Sequence, residues 1–122
     1  MPHDDDLLPL SPLSLAILLA LAEGAMHGYA LLQAVERQAQ GQVRVGTGSL
    51  YAALQRLEGD GLVTEAPEAA PEGGDARRRY YRLTDRGRAV GRAELVRLSR
   101  VLAGGGARRL APELVPAGEG RA

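Results

Sequence analysis

Hydrophobic positions along this chain fall into blocks with distinct spacing. The first, "LSLAILLALAEG", is apolar almost all round: Leu13, Ile17, Leu18 and Leu21 share one side, and Leu15 and Leu19 occupy another. Ser11 is placed to cap a helix here, Pro12 suits its first turn and Gly24 ends it. A helix without a polar face is buried on several sides, by its own domain and, on one side, by a second subunit. The next block, "GYALLQAVERQ" from Gly28 to Gln38, sets Tyr29, Leu31, Leu32 and Val35 on one face and Gln33, Glu36 and Arg37 on the other. Only three or four residues separate the two helices, so they are neighbours in space.

After "GQVRVG", read as a loop or very short strand, comes "GTGSLYAALQRLEGDGLV", Gly46 to Val63. Leu50, Leu54 and Leu57 form a buried helical stripe, Thr47 is a plausible cap and Gly61 a left-handed stop. Gly48, Ser49, Ala52, Gln55, Arg56 and Gly59 then face outward, a small and polar surface. "LVTEA" (Leu62–Ala66) and "RRYYRLT" (Arg78–Thr84) have strand composition, and the Pro- and Gly-rich "PEAAPEGGDA" between them reads as a hairpin loop. Thr84 caps a long last helix that runs to Gly104–Gly106, with Val90, Ala93, Val96 or Arg97, and Val101 in one stripe widened by Leu95, Leu98 and Leu102.

The expected class is mainly α with a small β-hairpin wing: a winged helix-turn-helix plus a C-terminal dimerisation helix. The division that follows is a flexible N-terminus over 1–10, a DNA-binding domain over 11–83, a dimerisation helix over 84–103 and a disordered tail over 104–122. In such folds the helix before the wing enters the major groove. Thr47, Ser49, Gln55 and Arg56 would provide its outward donors, and Arg77, Arg78 and Arg79 at the wing would neutralise phosphates or reach a minor groove. A dimer through Leu15, Leu19, Val90, Ala93, Leu95, Leu98, Val101 and Leu102 would set two such helices about 34 Å apart.

Composition changes this picture at a few points. With 122 residues the chain makes one small domain, and the absence of cysteine excludes a disulfide scaffold, a thiolate zinc site and a cysteine nucleophile. The formal net charge is zero, which argues against a polyanion partner, yet residues 1–76 carry 3 Arg against 11 acids and residues 77–122 carry 12 Arg against 4. A basic surface would therefore be local. The run Leu13–Ala22 is too short to span a bilayer and Asp4–Asp6 is the reverse of a basic leader, so a cytoplasmic protein is expected. His27, with no second histidine except His3, is read as a cap or packing residue, and neither a metal nor a cofactor is expected. Ser, His and Asp lack a nucleophile-like context, so an enzyme is not expected.

"LSLAILLALAEGAMHGYALLQAVE", "GTGSLYAALQRLEGDGLV" and "RRRYYRLTDRGRAV" together resemble the PadR family of transcriptional regulators, over roughly Leu13 to Val90. The resemblance implies a repressor, dimeric through its C-terminal helix, that binds a palindromic operator and is released by an effector such as a small molecule. It puts Thr47, Gly48 and Ser49 at the start of the recognition helix, matches Tyr51 to a tyrosine that contacts the DNA backbone, and matches Arg78 and Arg79 to basic wing positions. Gly28 and Tyr29 match the start of the family's second helix, where packing is expected. The chain departs from many relatives in having Ala52 where they carry proline, and it lacks Trp and Phe, which puts an aromatic effector pocket in doubt. A protein-interaction module that has lost DNA binding is the alternative, favoured by the zero net charge and the eleven acids of the first 76 residues.

Overall fold

The computed structural model describes residues 3–38, 44–74 and 77–114. Helix α1 (Pro12–Ala22) begins where the sequence places it: the Ser11 side chain accepts from the Ser14 N–H at 3.1 Å. A short strand β1 (Met26–His27) leads directly into α2 (Gly28–Gln38), and α3 (Thr47–Gly59) follows. Strands β2 (Val63–Glu65) and β3 (Tyr80–Leu83) precede the long helix α4 (Asp85–Ala103). A two-stranded wing was expected, but the antiparallel sheet has three strands in the order β1-β3-β2, with Met26 opposite Tyr81 and Val63 opposite Leu83. The extra strand ties the link before α2 to the wing.

Ile17, Leu18 and Leu21 of α1, Leu31 of α2, Leu50, Leu54 and Leu57 of α3, and Leu62, Tyr81 and Leu83 of the wing form one core. Much of the apolarity of α1 is thereby explained, because α2, α3, α4 and β3 all pack on it, while Leu19 stays exposed. Val90, expected in the dimerisation stripe, is fully buried in this core. It sits on the side of α4 that closes its own domain and has no surface to offer a second copy.

One helix boundary differs from expectation. Helix α3 is capped at Gly46, with Thr47 as its first helical residue and no side-chain cap. The turn at Gly61 (φ 77°) is the left-handed stop the sequence implies. At the next junction the Thr84 hydroxyl donates to the Gly61 carbonyl at 2.6 Å and accepts from the Gly87 N–H at 2.9 Å, locking the start of α4 against the start of β2.

The segment expected to be a flexible start instead carries a 3₁₀ turn, Asp4–Leu7, and lays Leu7, Leu8 and Leu10 against the core. It is held at its end by Glu94 of α4, a carboxylate only 1% exposed that accepts the Leu10 N–H at 2.7 Å and pairs with Arg97. The hydrogen bond from Arg97, joined by that from Leu10, holds the Glu94 carboxyl below its ordinary value despite burial. Arg86 on the same helix pairs with Asp4 at 2.9 Å. Beyond α4, a short helix α5 (Gly105–Leu110) and a 3₁₀ turn (Pro112–Leu114) stand where a disordered tail was expected, and the remainder of that tail, like part of the 41–46 loop, lies outside the described residues.

Candidate nucleic-acid interface

Helix α3 has two faces with opposite assignments. Leu50, Ala53, Leu54 and Leu57 are at most 3% exposed and anchor it to the core. Thr47, Gly48, Ser49, Tyr51, Gln55 and Arg56 are all exposed. The helix is thus presented by its leucines, with a short-chained start and longer polar side chains one and two turns on.

The wing brings guanidinium groups beside this face. Arg77, Arg78 and Arg79 immediately precede β3 and are exposed. Arg79 lies 3.4 Å from Glu65 across the sheet, and Arg82 lies 3.4 Å from Glu68. Such exposed pairs are weak, so their arginines exchange partners easily. Arg78 reaches in another direction, placing Nη1 3.2 Å from His27 Nε2.

Where α3, the start of α2 and the wing meet, there is a cleft of about 360 Å³ whose walls include His27, Gly28, Tyr51 and Arg78. Tyr51 leans its hydroxyl directly onto Gly28, where any β-carbon would overlap it. The close fit needs glycine at 28 and holds a 41%-exposed tyrosine in one place. His27 is fixed as well: Nδ1 accepts the Ala30 N–H at 3.2 Å, and its ring meets Tyr80 edge-on with centroids 5.4 Å apart. Burial and the neighbouring Arg78 both push the His27 pKa below the usual imidazole value. The sequence reads His27 only as a cap or packing residue, and the cap is present, but His27 also ties the start of α2 to the wing through Arg78 and Tyr80. The signal in the sequence was "HGY" ahead of "SLY": a glycine that must accept an aromatic ring from another helix.

A second surface lies away from this one. Leu15 and Leu19 of α1 and Leu95 of α4 line an open groove of about 470 Å³, with Arg88 and Arg92 on its rim. Further along α4, Val101 and Leu102 are more than half exposed, while Leu98 and Ala93 are partly covered.

Three helices, a hairpin closing on a three-stranded sheet and a helix presented beside arginines define a winged helix-turn-helix protein. Residues 17–93 match the model of the transcriptional regulator PadR-like family, and the chain belongs to that family. The family is one of transcriptional regulators, not enzymes. The chain is 39% identical over 95 residues to the transcriptional regulator Rv3488 of Mycobacterium tuberculosis, covering 75% of this chain and 82% of that one. It is 45% identical over 74 residues to an uncharacterised 37.1 kDa protein of transposon TN4556 from Streptomyces fradiae, a match spanning 61% of this chain but only 19% of that protein. Among solved structures it resembles Bacillus subtilis PadR in complex with operator DNA, at 23% identity and a TM-score of 0.60, covering 70% of this chain and 48% of that one. No helix among the described residues is long and apolar enough to cross a membrane.

Proposed function

We propose that this regulator binds duplex DNA in the cytoplasm as a homodimer, represses from a palindromic operator and is released by an effector. The observation that carries the reading is the shared cleft: Tyr51 of α3, the start of α2 and Arg78 of the wing meet in one place, so groove-reading and phosphate-binding elements form one continuous surface. Thr47, Gly48, Ser49, Gln55 and Arg56 would face base edges, with Tyr51 and Arg77, Arg78 and Arg79 on phosphates. The operator-bound B. subtilis PadR, which shares the fold, supports the same mode.

Replacing Arg78 and Arg79 together by alanine is expected to weaken binding to all duplexes alike and to lower the slope of log affinity against log salt by about 1.8, two phosphate contacts' worth. Ser49 or Gln55 substitutions should change base preference with the salt slope kept. An unchanged slope in the double arginine variant contradicts the wing assignment. Gly28→Ala should displace Tyr51 and reduce duplex affinity while leaving thermal stability nearly intact; equal affinity in a fluorescence anisotropy titration would remove Tyr51 from the interface.

For the dimer, the groove lined by Leu15, Leu19 and Leu95 and the exposed Val101 and Leu102 lie on the two helices expected to pair. Glu substitutions at Leu19 and Leu95 should convert a dimer to a folded monomer in sedimentation. A wild-type chain that sediments as a monomer at micromolar concentration speaks against the dimer. The pairing of Arg79 and Arg82 with Glu65 and Glu68 favours the second reading, a winged-helix module that binds protein rather than DNA, because it partly neutralises the wing.

A further inference from the structure

The contact between His27 and Arg78 is incomplete as a hydrogen-bonded arrangement. A neutral imidazole has one N–H and one lone pair. The Nδ1 lone pair is engaged by the Ala30 N–H, so Nε2 carries the hydrogen, and it points toward Arg78 Nη1, also a donor, 3.2 Å away. Two donors facing each other at that distance have no acceptor between them. An anionic oxygen placed beside both would satisfy them together. The Tyr51 hydroxyl, pinned against Gly28, opens on the same cleft and offers a third donor.

The charges around the cleft have one sign. Arg77, Arg78 and Arg79 face it from the wing, Tyr51 from α3, Tyr81 from β3 and Tyr29 from α2. Tyr80 stands edge-on to the His27 ring. Glu58 and Glu65 act on Tyr81, with Arg79 opposing them, yet no carboxylate among the described residues lines the cleft. An anion would meet only donors and cations there. The cleft, about 360 Å³ in volume, has room for a phosphodiester group.

We propose that this cleft is the seat of a single DNA backbone phosphate, held by His27 Nε2, Arg78 and the Tyr51 hydroxyl, and that His27 takes up a proton as the phosphate enters. The inference rests on the DNA-binding reading and adds a ligand and a linkage to it. In the free protein burial and, after it, Arg78 disfavour the imidazolium. A phosphate between the two groups reverses that balance, because the imidazolium then faces an anion. Nδ1 surrenders the Ala30 N–H when it is protonated, and the phosphate contact at Nε2 compensates. Since the bound form has the higher His27 pKa, complex formation consumes a proton, and affinity rises as pH falls through the bound pKa, levelling off below the free one.

The test uses the full chain and a random-sequence duplex of about 30 base pairs at low salt, since a phosphate seat is indifferent to sequence. Anisotropy titrations between pH 8 and pH 5 are run on the wild type and on His27→Gln, whose side-chain oxygen can still accept from Ala30. The His27 imidazole is also titrated by NMR in the wild type, free and with duplex, so one readout does not depend on any variant folding. The seat predicts a rise of the His27 pKa on adding duplex, and a gain of about tenfold in wild-type affinity per unit of that rise. His27→Gln should lose this excess, its affinity staying flat where that of the wild type climbs. An unmoved His27 titration, or equal pH profiles for the two proteins, overturns the seat and leaves DNA binding standing. Failure of the wild type to bind duplex at any pH overturns both.

Discussion

Gly87→Ala is expected to destabilise the domain by about 3 kcal/mol, a fall of roughly 12 °C or more in Tm for a chain of this size. A β-carbon at position 87 would overlap the carbonyl oxygen of Leu62 and press on Leu83. The obstacle is backbone, and that carbonyl is already committed as acceptor of the Thr84 N–H at 3.1 Å. Relief requires α4 to lift away from β2, which also pulls the Thr84 hydroxyl from Gly61 and from Gly87 itself. Gly91, one turn further on, supplies the control. There a β-carbon would meet only the end of Leu18 at 3.8 Å, an ordinary contact. Gly91→Ala should therefore be neutral or stabilising, by up to about 1 kcal/mol from helix propensity. Equal melting temperatures for the two variants would show that the α4–β2 junction does not constrain the fold.

The second large effect is expected at Glu94. Glu94→Gln keeps the shape but removes the charge that holds Leu10 and Arg97, at a cost of about 1–3 kcal/mol for hydrogen bonds to a buried charge. The pH dependence has a definite sign. The folded-state pKa of Glu94 is depressed below its ordinary 4.5, so the carboxylate's contribution is fully present above that value. It is lost as pH falls through the depressed folded value. Denaturant melts should thus show a constant difference between wild type and Glu94→Gln at neutral pH, shrinking under acid. A difference that grows on acidification contradicts the assignment. The N-terminal segment should be released in the variant, visible as faster proteolysis before Ser11.

Both sites illustrate what a linear reading reaches. Helix starts at Ser11 and Thr84, the stop at Gly61 and the leucine stripe of α3 were legible because each is decided by neighbours within a turn. Strand β1 was not: two residues carry no alternation, and Met26 and His27 become a strand only by pairing with Tyr81 and Tyr80. Glu94 was invisible for the same reason, since its backbone partner Leu10 is 84 positions away. Val90 was assigned to the wrong side of a helix with apolar residues on two flanks, one closing the core and one left open. At the interface, the outward residues of α3 followed from the periodicity. The cleft joining them to the wing is not legible there, because it depends on Gly28, whose missing side chain has meaning only once Tyr51 is seen to rest on it.

The wing arginines also reconcile a zero net charge with a nucleic-acid partner. Arg77, Arg78 and Arg79 are adjacent and exposed, while Asp4 and Glu94 occupy arginines of α4 away from that cluster. Local potential, not the sum over the chain, governs encounter with a polyanion.

On the proposed function, α3 and the wing together read an operator. The most direct measurement of this is a footprint of the full chain on the DNA upstream of its own gene, alongside a gel retardation assay with random DNA as competitor. Retention should survive the competitor, with two protected patches centred about one helical turn apart. Retention abolished equally by random and upstream DNA, or no protection at all, would contradict it.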